Sequence, residues 1–216
     1  MAYDLEEQEQ IDTFKAWWKQ YGNLITWVLI IALTAYASWS GWKYYQRNQS
    51  AQASQLYDEL QKAVVAKDNA KVQRAAADMQ AKFARSAYAQ MSALTAAKVA
   101  FDANDLKTAK AQLQWVSENG RDDEYKAIAR IRLAGILLDE KAYDEGLKIL
   151  ATDMPPQFAG VVADRKGDIL VAQNKLDEAR AAYQQALEKT DQKSPGRQLI
   201  QLKLDAIGGA PAKAAA

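Results

Sequence analysis

The sequence predicts an all-α protein in which a single N-terminal transmembrane helix is followed by an α-solenoid of helical repeats. Three observations support this prediction. An uncharged, largely apolar run extends over residues 21–42. The chain after it is rich in Ala, Gln, Leu and Lys, which favour helices, and shows almost no strand-like alternation. Within that part, one pattern of small and apolar residues recurs at intervals of roughly 34 residues.

The apolar run is long enough to cross a membrane as a helix. The hydrocarbon core of a bilayer is about 30 Å thick and needs roughly 20 apolar residues of helix, a requirement that residues 24–42 meet. Trp27 lies near one end of the run, and Trp39 and Trp42 lie near the other, where aromatic rings favour the headgroup level. The alternative is a buried core helix of a soluble protein, but such helices are usually shorter and carry more charge.

A cleaved signal peptide is a second alternative. Ala35-Tyr36-Ala37 fits the small-x-small pattern of a cleavage site. The region before the run is long and acidic, however, whereas a secretory signal begins with a short basic region. Cleavage after Ala37 would also leave Trp39 and Trp42 in water. We therefore expect the span to stay attached to the rest of the chain.

Residues 1–20 form a head that the sequence predicts to be a short amphipathic helix. Ile11, Phe14 and Trp18 fall at i, i+3 and i+7, on one face of such a helix. One interpretation is a helix that lies on the membrane surface, and the other is a mobile head whose aromatic side chains anchor the span. Lys and Arg residues are nearly balanced between the two ends of the span, so the positive-inside rule does not orient the chain.

The composition argues against several functional classes. The formal net charge of +1 gives no electrostatic case for binding nucleic acid. The chain has no Cys and no His, which excludes disulfides, most zinc and copper sites, and any Ser–His or Cys–His catalytic pair. Acidic residues at 122–124 and 177–178 lie at predicted helix starts, where carboxylates are usually solvated and favoured by the helix dipole. We therefore expect neither an enzyme nor a cofactor or metal site.

The chain after the span is predicted to form a series of helices separated by short polar breaks, such as Asn104-Asp105 and Asn174-Lys175. Short breaks make consecutive helices antiparallel neighbours. The tail, residues 208–216, has no apolar anchor and is predicted to be disordered. The predicted helices cover residues 49–66, 70–84, 88–103, 106–118, 123–140, 143–152, 158–173, 176–189 and 197–207.

The clearest repeat unit covers residues 167–187 and resembles a tetratricopeptide repeat. Small residues allow the two helices of such a unit to approach closely, while Tyr183 is expected to fill the space against the next unit. Residues 49–84 are predicted to be a degenerate first unit, and the alternative to the whole array is an irregular helical bundle. The matching positions are Gly167, Leu170, Ala179, Tyr183 and Ala186, preceded by Ala134, Leu137, Gly146 and Leu150, and by Ala97, Ala100, Ala109, Leu113 and Val116.

The head and the span make the resemblance more specific. The run EEQEQIDTFKAWWKQYGN leads directly into the span, and GWKYYQ follows it. With a repeat domain of this length, nearly the whole chain resembles the YfgM family, ancillary subunits of the SecYEG translocon. The resemblance implies a single-pass protein of the bacterial inner membrane, with a cytoplasmic head (1–20), a transmembrane helix (21–42), a periplasmic repeat domain (43–207) and a tail (208–216).

The same resemblance implies the partners. These are the SecYEG translocon, the membrane-anchored periplasmic prolyl isomerase PpiD, and unfolded or emerging exported proteins, which the domain would assist in a chaperone-like way. The span adds membrane lipid to this set. An alternative function is a structural scaffold for another envelope assembly complex, because helical repeats serve either role.

In tetratricopeptide arrays the first helix of each unit lines the concave face, and the resemblance places a partner surface there. An apolar surface with Met and Phe suits extended or unfolded segments. The alternative is internal packing, in which the helix at 197–207 covers part of this surface as a cap. The predicted partner-binding residues are Met91, Leu94, Phe101, Ile128, Ile131, Leu138, Val161, Asp164, Asp168 and Val171, with Lys98 among them.

Overall fold

The structure is a computed structural model that describes residues 2–209, with side chains from Glu7 onward. Residues 210–216, which form most of the predicted disordered tail, lie outside the described residues. No strand occurs in the described part, which confirms the predicted all-α class. The helices are α1 (Ala2–Val65), α2 (Asn69–Phe83), α3 (Ala87–Asp102), α4 (Leu106–Asn119), α5 (Asp123–Asp139), α6 (Tyr143–Leu150), α7 (Ala159–Ala172), α8 (Leu176–Lys189) and α9 (Gly196–Ala206), with a 3-10 helix at Pro156–Phe158.

The chain divides into two compact units between Gln52 and Ala53, within α1. Among the described residues, α1 is the one helix long and apolar enough to cross a membrane. In the first unit its large apolar side chains, such as Leu24, Trp27 and Leu33, are exposed rather than packed in a protein core. That exposure is what a lipid-facing helix requires, since lipid replaces the protein core around it.

The head, the span and the first predicted helix of the repeat domain belong to a single helix. The sequence predicted a separate helix over residues 49–66, whereas the structure makes those residues the C-terminal part of α1. The reason is local: between Trp42 and Val65 the chain contains neither Gly nor Pro, the residues that most often break a helix.

The same type of turn connects the two helices of each pair in the second unit. One residue in each turn has a φ between 55° and 62°, in the left-handed region, and the following residue donates its N–H to a carbonyl five positions earlier at 2.8–2.9 Å. This is the Schellman arrangement that ends many helices. Successive turns lie 37, 37 and 33 residues apart, so residues 49–84 share the period of the later units. The left-handed residues are Lys67, Asn104, Lys141 and Asn174, after α1, α3, α5 and α7.

Aspartates cap the helix that follows two of these turns. The carboxylate of Asp68 accepts a hydrogen bond from the backbone N–H of Lys71, and that of Asp105 accepts one from Thr108, both at 3.0 Å. The backbone hydrogen bond from Lys71 lowers the pKa of Asp68, and hydrogen bonds from Thr108 lower the pKa of Asp105. Each cap therefore stabilises the fold above the ordinary carboxyl pKa, and its contribution disappears as the pH falls through the lowered value.

The predicted small and apolar repeat positions are all buried. One core cluster joins α3, α4 and α5 around Leu113 and Leu133. The next joins α5, α6 and α7 around Leu150 and Ile169, and the last joins α7, α8 and α9 around Tyr183 and other side chains. Because each cluster shares a helix with its neighbour, the units form one continuous core, as in a solenoid.

A close approach in the last helix pair involves Gly167 of α7 and Tyr183 of α8. A Cβ added at Gly167 would lie 2.6 Å from Cδ1 of the Tyr183 ring, far inside normal contact distance. Tyr183 is itself buried, and its hydroxyl donates to Oδ1 of Asp168 at 2.9 Å. The glycine thus provides the space that the ring occupies, as the repeat pattern predicted.

We predict that this contact is a large source of stability in the last pair. Tyr183→Ala should cost about 3 kcal/mol because it leaves a cavity, and Gly167→Ala should cost about 1–3 kcal/mol because its methyl group overlaps the ring. In the Tyr183→Ala background the Gly167→Ala cost should largely disappear. Urea unfolding of the full chain in mild detergent, with exposed Gln185→Ala as control, measures all three, and additive costs would contradict the contact.

Candidate partner-binding groove

A groove with a cavity volume of about 410 Å³ lies between α3, α5 and α7, the first helices of three consecutive pairs. Its size falls within the range of cavities that hold ligands. Both apolar and charged side chains line it. They are Ala97, Lys98, Phe101, Asp102, Leu113, Arg132, Gly135, Ile136, Asp139 and Arg165.

One stripe of α5 contributes four of these residues. Arg132, Gly135, Ile136 and Asp139 stand at i, i+3, i+4 and i+7, so they share one face of the helix. The stripe has opposite charges at its two ends and a small and an apolar residue between them. With a rise of about 1.5 Å per residue, the two charged positions are roughly 10 Å apart along the helix.

The remaining charges of the groove are paired. Lys98 Nζ lies 2.7 Å from Oδ2 of Asp102 on the same helix, and Arg165 lies 3.2 Å from Oδ2 of Asp168. Arg132 and Asp139, in contrast, form no ion pair with any other residue in the described part of the chain. The groove therefore offers one unpaired cation and one unpaired anion to whatever enters it.

The structure separates the predicted apolar partner residues into four groups. Phe101 lines the groove and is 46% exposed. Leu94 and Ile131 are each only 8% exposed and belong to core clusters. These two residues therefore pack internally, which was the alternative to partner binding. Ile128, Leu138 and Val171 are partly buried against the same clusters or the C-terminal one, and Met91 and Val161 lie outside the groove lining.

The two predicted acidic residues contact the C-terminal helix. Lys203 of α9 places its Nζ 2.8 Å from Oδ1 of Asp164 and 2.8 Å from Oδ1 of Asp168. Asp168 also accepts a hydrogen bond from the Tyr183 hydroxyl. Burial first, and then the Asp168 carboxylate, raise the pKa of the Tyr183 phenol, so the phenol stays neutral and donates this bond over the physiological range.

Apolar and polar contacts together hold α9 on the last pair. Ile200 and Leu204 are buried against Ala163 and Tyr183. The Arg197 guanidinium donates to the carbonyl of Thr190 at 3.1 Å, among other contacts. The helix α9 therefore caps the last pair, as the packing alternative in the sequence analysis described. Leu199 and Leu202, on the other side of α9, are exposed.

Of the groove residues, the sequence predicted only Phe101 and Lys98 at the partner surface and named Ala97 and Leu113 only as repeat positions. It missed six others: Asp102, Arg132, Gly135, Ile136, Asp139 and Arg165. A signal was present on α5, because Arg132 and Asp139 stand at i and i+7, on one face of the helix, and both are charged. Arg165 gave no such signal, since its place beside Gly135 depends on how α7 packs against α5.

The acidic residues considered for catalysis have local structural partners. Asp123 is paired with Lys126 at 3.1 Å, and Asp177 is paired with Arg180. Asp122 accepts a hydrogen bond from the side-chain amide of Gln90. Among the side chains that the structure describes, from Glu7 to Gly209, no cluster of acidic residues has the arrangement of a metal site.

Comparisons with known proteins agree with this architecture. A family model described as a tetratricopeptide repeat-like domain matches residues 15–209. Three relatives carry the name ancillary SecYEG translocon subunit. The relative from Neisseria gonorrhoeae is 36% identical over 96% of this chain and 100% of its own length. Those from Haemophilus influenzae and Escherichia coli are 30% and 28% identical, over 95% and 92% of this chain and 99% and 95% of their own lengths.

We predict that the contact of Lys203 with two carboxylates holds α9 in place. Lys203→Gln removes the cation from between Asp164 and Asp168, which are largely buried, and should cost about 1–3 kcal/mol. In an Asp164→Asn background the cost should be smaller. Urea unfolding of the full chain, with exposed Lys189→Gln as the matched control, gives these free energies, and equal costs in both backgrounds would show that the contact contributes nothing specific.

Proposed function

Because the chain belongs to the family of ancillary SecYEG translocon subunits, we propose that it associates with the SecYEG translocon as a single-pass inner-membrane protein. Its repeat domain would face the periplasm and assist, in a chaperone-like way, proteins that emerge from the channel. The observation that carries this proposal is the combination of one apolar membrane-spanning candidate helix with a helical repeat domain whose first helices form a groove.

In this proposal the first unit contacts the membrane and the translocon, and the second unit binds emerging segments. The exposed apolar surface of α1 in the first unit suits contact with lipid and with membrane-embedded helices of the translocon. In the second unit, the groove with Phe101 at its edge is open to an extended segment. Tethering by the span keeps the groove at a high local concentration beside the channel, so modest affinity for each emerging segment is sufficient.

The proposal includes PpiD as a second periplasmic partner. A membrane-anchored prolyl isomerase and a membrane-anchored repeat domain would act on the same emerging chain. Binding to PpiD, to emerging chains and to membrane lipid belongs to this proposal. A scaffold for another envelope complex is the outcome that would replace it.

Site-specific photocrosslinking in intact membranes tests the association. A crosslinking amino acid in place of Leu33, an exposed residue of the span, should capture subunits of SecYEG, and one in place of Phe101 should capture PpiD or exported proteins. The matched control is the same probe at Leu199, which is exposed on α9 outside the groove. Mass spectrometry identifies the captured proteins, and products from a different envelope complex at both positions would support the scaffold instead.

We also predict a cytoplasmic head and a periplasmic repeat domain. Protease added to cells with a permeabilised outer membrane should digest the second unit and leave the head attached to the span. The same protease added to inverted inner-membrane vesicles should spare the second unit. Immunoblots with epitopes at each terminus distinguish the two topologies, and a second unit digested only in inverted vesicles would reverse the proposed orientation.

A further inference from the structure

We propose that the groove between α3, α5 and α7 binds an extended polypeptide segment that carries an acidic and a basic side chain roughly 10 Å apart, with an apolar side chain between them. This inference rests on the proposed function and names the kind of segment that the repeat domain would select. Three features of the groove support it: the unpaired charges of α5, the exposed ring of Phe101, and a glycine that the internal packing does not require.

The unpaired charges set the polarity of the ligand. Arg132 and Asp139 stand two turns apart on one face of α5, and neither has an ion-pair partner among the described side chains, from Glu7 onward. Arg132 attracts a carboxylate, and Asp139 attracts an ammonium or guanidinium group. The groove lining mixes three cations with two carboxylates, so its charge pattern favours a segment with both signs over a polyanion.

The apolar lining of the groove has a buried part and one exposed ring. Ile136 of α5 and Ala97 of α3 are each only 3% exposed, so Phe101 of α3 supplies most of the apolar surface that a ligand could cover. Phe101 is nearly half exposed in the described structure, so a ligand side chain packed on its ring would remove apolar surface from water. An apolar side chain in the middle of the bound segment fits this position.

Gly135 lies at the same level and is unusual for a helix interior. A helix with alanine at an interior position is more stable than the same helix with glycine there. A Cβ on Gly135 would meet the guanidinium of Arg165 at 3.6–3.8 Å, which is ordinary van der Waals contact, so the packing of α5 against α7 tolerates alanine. Gly135 and the Arg165 guanidinium line the groove side by side, so a methyl group at Gly135 would fill part of the groove wall next to Arg165.

A polyproline II conformation matches the spacing of the charges. It advances about 3.1 Å per residue with three residues per turn, so side chains three positions apart point the same way and lie about 9 Å apart. An acidic and a basic residue at that separation would reach Arg132 and Asp139 together. Short segments of this kind occur in unfolded chains, which sample polyproline II readily.

The test uses the full chain in nanodiscs of uncharged lipid and fluorescein-labelled, end-blocked peptides. Each peptide places one Glu, one Leu and one Lys in a Gly/Pro background, with Glu and Lys three positions apart and Leu between them, and both orders of the two charges are made. Fluorescence anisotropy at low ionic strength, where exposed charges are least screened, measures the affinity. Replacing Glu or Lys of the better-binding peptide by Gln should weaken binding about fivefold, the size of one exposed ion pair.

Substitutions in the protein identify the contacts. Arg132→Gln should make the protein indifferent to the peptide's Glu while leaving it sensitive to the Lys, and Asp139→Asn should do the reverse. Gly135→Ala should raise the melting temperature of the second unit and weaken every peptide that binds the wild type. Arg74→Gln, an exposed arginine of α2 outside the groove, is the control and should change nothing.

Several results would overturn the inference. These are the absence of peptide binding, binding that ignores both peptide charges, or an Arg132→Gln variant that still distinguishes Glu from Gln. The same variants are then carried into the photocrosslinking experiment. Capture of SecYEG through Leu33 by the wild type, without selective peptide binding, would reject the groove specificity and leave the proposed function standing. Failure of the wild type to capture SecYEG would reject the function instead.

Discussion

The second unit depends on one backbone constraint, the left-handed residue in the turn of each helix pair. It lets a helix end, satisfies carbonyl groups of its last turn, and sends the chain back alongside itself. Because the turn is repeated at similar spacing, α3, α5 and α7 occupy equivalent places and α4, α6 and α8 lie behind them. Asn104 and Asn174 suit this conformation, whereas Lys67 and Lys141 adopt it at a steric cost that the surrounding packing offsets.

Small residues then determine how closely the paired helices can approach. Gly167 leaves room for the Tyr183 ring, and at Gly146 an added Cβ would lie 3.0 Å from Cδ1 of Ile169. Close approach removes apolar surface from water in every pair, and the shared clusters carry that burial from one unit to the next. The array cannot end on an exposed core face, so α9 covers the last pair with Ile200, Leu204 and the Lys203 contacts.

Capping also decides where a partner surface is available. Asp164 and Asp168 of α7 are occupied by Lys203, while Arg132 and Asp139 of α5 remain unpaired in the described structure. The same kind of face therefore packs internally at the end of the array and stays open in its middle. In the proposed function, this leaves a short groove that holds a few residues of an emerging chain and releases them easily.

The sequence alone determined the span, the all-α class, the approximate bounds of α2 to α9, and the repeat positions that the structure buries, because uninterrupted apolarity and helical periodicity are local properties of the chain. It did not predict that the head, the span and residues 49–65 form one helix. It also predicted Phe101 at the open face. It did not place Leu94 and Ile131 in the core, nor bring Arg165 beside Gly135. Those outcomes depend on which neighbouring helix covers each side chain, and residues on the same helix face carry one pattern whether they meet a partner, a cap or water. Only the tertiary structure decided whether such a residue meets a partner, a cap or water, since burial and pairing arise from contacts between helices far apart in the chain.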